Sequence, residues 1–240
     1  MTAPQTRAAL GGMTSGPIPP LGHGERLTRA EFERRYDAMP HLRKADLIDG
    51  VVYIPPPAPA RGHREPHAHL VACLGMCGAF TPGVEVGLSS SIRLGADSMP
   101  QPDALMRIRR ERGGRSCISA DDYVEGGPEL VAEVAASGTM SVDTGLKLEL
   151  YQRYGVQEYI VWRVPNREID WFVRRGGWFT PLAADAAGVF RSEIFPGLWL
   201  DAAALVGGDM GRVNAVLQQG LASSEHADFV ARLAQAVRTT

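Results

Sequence analysis

A charged pair inside a helix that should be oily constrains this chain more than any other feature. Residues 127–162 read GPELVAEVAASGTMSVDTGLKLELYQRYGVQEYIVW. PELVAEVAA has the composition of a strand, SVDTGLKLELYQRYG that of a helix ending at Gly155, and VQEYIVWRV that of a second strand. On the first strand Glu133 shares a face with Val131 and Ala135. A carboxylate with apolar neighbours on both sides needs a partner or a cation. At about 100° per residue, Val142, Leu146, Leu150 and Tyr154 trace the apolar arc of the helix. Asp143 and Lys147 fall inside that arc, while Thr144, Glu149 and Gln152 make the polar face. Lys147 is therefore expected to turn its ammonium toward the sheet, near Glu133. Asp143 reads more simply as a first-turn acid that starts the helix.

The rest of the chain supplies a mixed α/β pattern around one sheet. Residues 1–24, rich in Gly and Pro, read as a mobile tail. Thr28 and Glu31 suggest a capped helix over Arg29–Asp37. ADLIDGVVYIPPP reads as a hairpin turning at Asp49-Gly50 and stopped by Pro55, Pro56 and Pro57. Leu70, Cys73, Leu74, Cys77 and Phe80 give a helical spacing over 66–80. VEVGLSSSIRL alternates as one strand, QPDALMRI as another, and 109–127 as a loop. Strands of a hairpin around Pro165-Asn166 follow, with a third strand in GGWFTPLA, and then a terminal strand and short helix in SEIFPGLWLDAAAL. The domain is expected to span 25–208. Residues 209–240 form an alanine-rich extension, helical over 211–238.

Asp103 is a second acid, placed at the start of its strand just after Pro102. If its strand neighbours that of Glu133, the two carboxylates converge. Two such oxygens plus a backbone carbonyl suit Mg²⁺ or Mn²⁺, and a lysine beside them can orient an attacking water and stabilise charge on a phosphate.

At these residues the chain resembles the Uma-type putative restriction endonuclease family, within the PD-(D/E)XK nuclease superfamily. QPDALM, LVAEVAASGT and D-x-x-x-K-L-x-L-Y-x-x-x-G-V-x-E-Y-I-V-W carry the resemblance, in that order. DLIDGVVYIPPPAPARGH and FPGLWLD extend it over about 27–205. It implies a restriction-endonuclease-like core, a mixed sheet flanked by helices, with Asp103 and Glu133 as metal ligands and the Val134 carbonyl beside them. In most of the superfamily the lysine stands two residues after the acid, where this chain has Ala135. Lys147 on the next helix takes its role and positions the water. Asp46 stands where the family has a glutamate, and is a further catalytic candidate. His63 matches a histidine found after the Pro-rich segment.

The function expected is Mg²⁺- or Mn²⁺-dependent endonucleolytic hydrolysis of DNA. The alternative is a nuclease-like fold kept as a binding module for nucleic acid or protein, without turnover. Glu133 and Lys147 alone could equally be a structural ion pair. A net charge of −2 gives no global pull toward nucleic acid, so any basic site must be local. Arg107, Arg109, Arg110, Arg112 and Arg115 could touch phosphates, or be a solvated loop. His63, His67, His69, Cys73 and Cys77 invite a zinc reading, but Cys73 and Cys77 lie on the apolar stripe and read as buried hydrophobes. Trp162, Trp171, Trp178 and Phe179 read as packing between hairpins. Three cysteines and the absence of a membrane-length apolar run or a signal pattern point to a cytoplasmic chain. A homodimer would supply the two sites that two-strand cleavage needs.

Overall fold

The computed structural model describes residues 17–57 and 60–236. In chain order the elements are α1 (Arg29–Asp37), β1 (Asp46–Ile48), β2 (Val51–Tyr53), α2 (Glu65–Ala79), β3 (Val84–Leu88), β4 (Ile92–Arg93), β5 (Ala104–Ile108), β6 (Cys117–Ile118) and β7 (Val124–Glu125). Then come β8 (Leu130–Ala135), α3 (Lys147–Arg153), β9 (Glu158–Arg163), β10 (Glu168–Arg175), β11 (Trp178–Pro181), β12 (Val189–Arg191) and β13 (Trp199–Asp201). The chain closes with α4 (Ala202–Gly207), α5 (Met210–Leu221) and α6 (Ser224–Ala236).

Six strands form the central sheet in the order β11-β10-β9-β8-β5-β3. Only β8 and β9 run parallel, joined through α3; the other neighbours are antiparallel. Side chains alternate across β8. Leu130, Ala132 and Val134 enter a core with α2, α5 and α6, built on Leu70, Leu74, Leu217 and Phe229. Val131 and Ala135 face the other way, into a core with Leu150 and Tyr151 of α3. Glu133 has the same parity as Val131, so the pleat delivers it to the α3 side. The register of β5 against β8 pairs Ala104 with Ala132 and Leu105 with Val131. Carried one step further, it sets Asp103 opposite Glu133.

The β1–β2 hairpin turns at Asp49 and Gly50, both with positive φ (48° and 76°), as a type I′ turn requires. Leu47 exchanges backbone hydrogen bonds with Met99, at 3.1 and 2.7 Å, and this pins the hairpin beside the sheet. Leu21 packs with Phe32, Leu47 and Met99, and Gly24 N–H donates to Val52 O, so residues 21–24 of the expected tail are held; its residues 1–16 lie outside the described residues.

Several local expectations need correction. Thr28 caps α1 by accepting from Glu31 N, but the Glu31 carboxylate takes Arg34 and Arg35 instead of closing a capping box. VEVGLSSSIRL is two strands. Ser89 adopts φ 46° and its N–H donates to Asp103 O, which breaks the run and sends β4 into a small separate sheet with β7 and β6. The supposed loop 109–127 contains β6 and β7. Beyond 209 the chain forms two helices, because α5 ends at a cap on Ala222 before α6 begins. Val213, Leu217, Phe229 and Leu233 from these helices are buried in the main core. Trp162 and Trp171 are buried as expected, whereas Trp178 on the edge strand β11 is 69% exposed.

Candidate active site

The helix carrying Lys147 is irregular near its start, where the α-helical Met140 and Ser141 lead into a wider turn. Residues Val142–Leu146 form a π-helical turn, in which Lys147 N–H donates to Val142 O, five residues back. The extra residue per turn rotates Leu146 outward, to 40% exposure, although a uniform 100° step places it in the apolar arc. Asp143 and Lys147 stay inside. Asp143 stands in the first turn, as expected, but it is buried and its Oδ1 lies 3.4 Å from Lys147 Nζ.

Lys147 is 1% exposed and surrounded by acids. Its Nζ lies 2.8 Å from Glu133 Oε1 and 3.2 Å from Asp46 Oδ2. Tyr151, one turn along α3, donates its hydroxyl to the same Glu133 oxygen at 3.1 Å. Asp46 Oδ1 accepts from Gln101 N at 2.6 Å. Tyr159 on β9 donates to Asp143 O at 2.7 Å, which fixes the π-helical turn against the sheet.

Asp103 occupies the front of the cluster. Its Oδ2 accepts from Val134 N at 2.7 Å and lies 3.3 Å from His63 Nε2; its backbone O meets His67 Nε2 at 3.0 Å. His63 sits in a second π-helical turn, Ala60–Arg64, just ahead of α2. Lys44, two residues before Asp46, bridges the two acids: its Nζ is 2.8 Å from Asp103 Oδ1 and 3.6 Å from Glu133 Oε2. Sequence reasoning missed Lys44. Two signals pointed to it: an extended segment puts residues 44 and 46 on one side, and the chain holds only two lysines, Lys44 and Lys147, among its 25 basic residues.

A cleft of about 1150 Å³ opens over Asp103. Pro55, Pro56 and Pro57 wall one flank, and residues 136–139 and Pro165 line it elsewhere. Gly138 is required here, since a Cβ would stand 2.8 Å from Pro56 Cγ on a rigid ring. Arg43 and Arg64 are exposed and line the same cleft with Lys44 and His63, giving it a local basic rim. Glu133 and Lys147 lie behind the front row.

Burial shapes the protonation of the acids. It pushes Glu133 up to about 7, with the Lys147 and Lys44 charges opposing the rise. It raises Asp143 too, again against Lys147. Burial would also raise Asp103, but the Lys44 charge and the His63 contact prevail and hold it well below the usual carboxylate range. For Lys147 and Lys44 burial pulls the other way, yet the surrounding carboxylates win and both ammoniums stay protonated.

The arginine-rich segment is elsewhere. Arg107 lies four residues along β5 from Asp103, roughly 13 Å of strand, and is buried against Glu85, its cross-strand partner, and Ser116. Arg109 also pairs with Glu85, and Arg112 donates to Leu233 O. Cys73 and Cys77 are buried in the main core and their thiols are pushed up to about 12 by burial.

Four carboxylates (Asp46, Asp103, Glu133 and Asp143) face two ammoniums, so acidic groups outnumber basic ones in the cluster. Among the described residues, no three His, Cys, Asp or Glu side chains are grouped to enclose a metal by themselves. A cation here would rest on Asp103 and Glu133 and complete its shell with water and phosphate oxygens, which is the habit of Mg²⁺. The hard oxygen donors fit such an ion.

The mixed sheet, its flanking helices and the buried acid–lysine cluster define a restriction-endonuclease-like fold. The family model described as "Putative restriction endonuclease", Uma2, matches residues 29–203, and the chain belongs to that family. It is thereby placed with the restriction-endonuclease-type nucleases. A crystal structure described as a putative nuclease from Anabaena variabilis superposes with a TM-score of 0.55 at 12% identity, covering 72% of this chain and 97% of that one. This likeness shows the shared fold. No curated protein sequence matches the chain. No helix among the described residues is long and apolar enough to cross a membrane.

Proposed function

We propose that the cleft hydrolyses DNA phosphodiester bonds with a divalent cation, Mg²⁺ or Mn²⁺. The observation that carries the reading is the convergence of Asp103 and Glu133, from neighbouring strands, on a single cationic position at the cleft floor. These two side chains, with the Val134 carbonyl expected from the family pattern, would hold the metal. When bound it neutralises charge developing on the phosphate and lowers the pKa of a bound water. The chain's own residues prepare that event. Lys147 and Tyr151 fix Glu133 Oε1, leaving Oε2 toward the cleft. Lys147 therefore acts from behind, positioning Glu133 and through it the attacking water. Asp46 holds Lys147 in place. His63 and Val134 N–H orient Asp103. Arg43 and Arg64 offer charge to the phosphates on either side of the scissile one.

A second reading is a binding module without turnover. Lys44 favours it, because its ammonium already satisfies the acid pair. Mg²⁺-dependent nicking of a supercoiled plasmid separates the two, with Asp103→Ala as control. Nicking by the parent chain alone supports the nuclease. Equal nicking by both proteins indicates contamination. No nicking, with DNA binding that weakens as salt rises, supports the module.

A further inference from the structure

The acid pair holds a cation of its own. Asp103 Oδ2 is taken by Val134 N–H and His63, and Glu133 Oε1 by Lys147 and Tyr151. The two oxygens left over, Asp103 Oδ1 and Glu133 Oε2, both turn to Lys44 Nζ, at 2.8 and 3.6 Å. These are the oxygens a metal would need. The two lysines of the chain are otherwise unlike. Lys147 is locked among three carboxylates and is 1% exposed. Lys44 has a side chain 24% exposed, stands ahead of β1 outside regular structure, and lines the open cleft. It can withdraw, and Lys147 cannot.

Composition supports a specific use of lysine. Of 25 basic residues, 23 are arginines, and both lysines lie in this one cluster. An ammonium is a compact point charge on a flexible stem, whereas a guanidinium is a broad planar fork that pairs with carboxylates side by side. Only the former resembles a small ion seated between two carboxylates.

We propose that Lys44 is a tethered counter-ion that occupies the metal position in the metal-free protein. It withdraws into the cleft when a divalent cation loads, and so it sets the metal affinity. The proposal rests on the metal-site reading above. Without a cation at this point the two acids would face each other across a buried gap, which is costly. Lys44 lets the site fold before metal arrives, at the expense of competing with it. Once displaced, its ammonium joins Arg43 and Arg64 on the cleft side where a phosphate would lie.

The test is calorimetric titration of Mn²⁺ into the full chain and into Lys44→Met, without nucleic acid. The variant is expected to bind at least tenfold more tightly. Equal or weaker binding overturns the proposal while leaving the metal reading intact. If neither protein binds Mn²⁺, the metal reading falls and the proposal falls with it. The unsubstituted chain gives a second measurement should Lys44→Met fail to fold. With only two lysines, amine acetylation read by mass spectrometry reports each separately. Saturating Mn²⁺ is expected to raise acetylation of Lys44 at least threefold and leave Lys147 unlabelled. Unchanged labelling of Lys44 at Mn²⁺ saturation overturns the proposal.

Discussion

Asp46 Oδ2 lies 3.2 Å from Lys147 Nζ, though 101 residues of chain separate them. The contact ties the N-terminal hairpin to the helix behind the sheet. Asp46→Asn keeps an oxygen for Gln101 N–H but removes one of three negative charges around Lys147. The expected cost is about 1–3 kcal/mol, below the full penalty for an uncompensated buried charge because Glu133 and Asp143 remain. Nicking by the variant should fall roughly tenfold, the scale of losing an outer residue that orients a ligand. Urea unfolding and plasmid assays measure the two effects separately.

Lys147→Met is expected to be far more damaging to folding. It leaves Asp46, Glu133 and Asp143 buried without their common cation. Breaking a buried pair in this way costs about 3–5 kcal/mol. A shift of the urea midpoint by less than 1 kcal/mol equivalent would contradict the buried network. Activity loss in this variant reports folding and chemistry together.

Glu158 provides a pH test away from the cleft. It is fully buried and accepts from Ser192 Oγ and from the N–H groups of Glu193 and Ile194. Burial pushes its carboxyl up to about 7, with those three donors opposing. The folded state then binds more protons than the unfolded one between the ordinary value, near 4.5, and 7. Stability from this group is fully present below about pH 4.5 and is lost as pH rises through 7, a change of roughly 3 kcal/mol. Glu158→Gln should show a flatter dependence of Tm between pH 5 and 8 than the parent chain. Parallel curves would show that Glu158 does not titrate there.

Phe229→Ala addresses the C-terminal helices. Phe229 packs edge-on against Phe195 in the main core. Truncation should cost about 3–5 kcal/mol, measured by denaturant unfolding in a single transition. A loss under 1 kcal/mol, or a separate early transition, would mean that α6 unfolds independently.

Much of this arrangement was legible in the sequence because it follows from local periodicity. Period two put Glu133 on one face of β8, and helical spacing put Lys147 on the inner face of the next helix. Asp49-Gly50 specified its own turn. The parts that were not legible depend on long-range or irregular geometry. The π-helical turn at 142–146 defeats a wheel drawn with a uniform step, which puts Leu146 inside. The break at Ser89 depends on a hydrogen bond to Asp103, which is remote in sequence. Arg107 and Arg109 could be understood only once Glu85 was set opposite Arg107 by strand register. Lys44 sits in no regular element, and only its alternation with Asp46 and its rarity in an arginine-rich chain mark it.

The contact between Gly138 and Pro56 sets the gauge of the mouth. The ring of Pro56 rests where a methyl group would stand, so the two jaws meet at a distance fixed by a single hydrogen on the backbone. One added carbon there would act as a spacer, prying the jaws apart or forcing the proline rail to slide. The width of the cleft mouth is thus adjustable one carbon at a time, from a position that carries no reactive group.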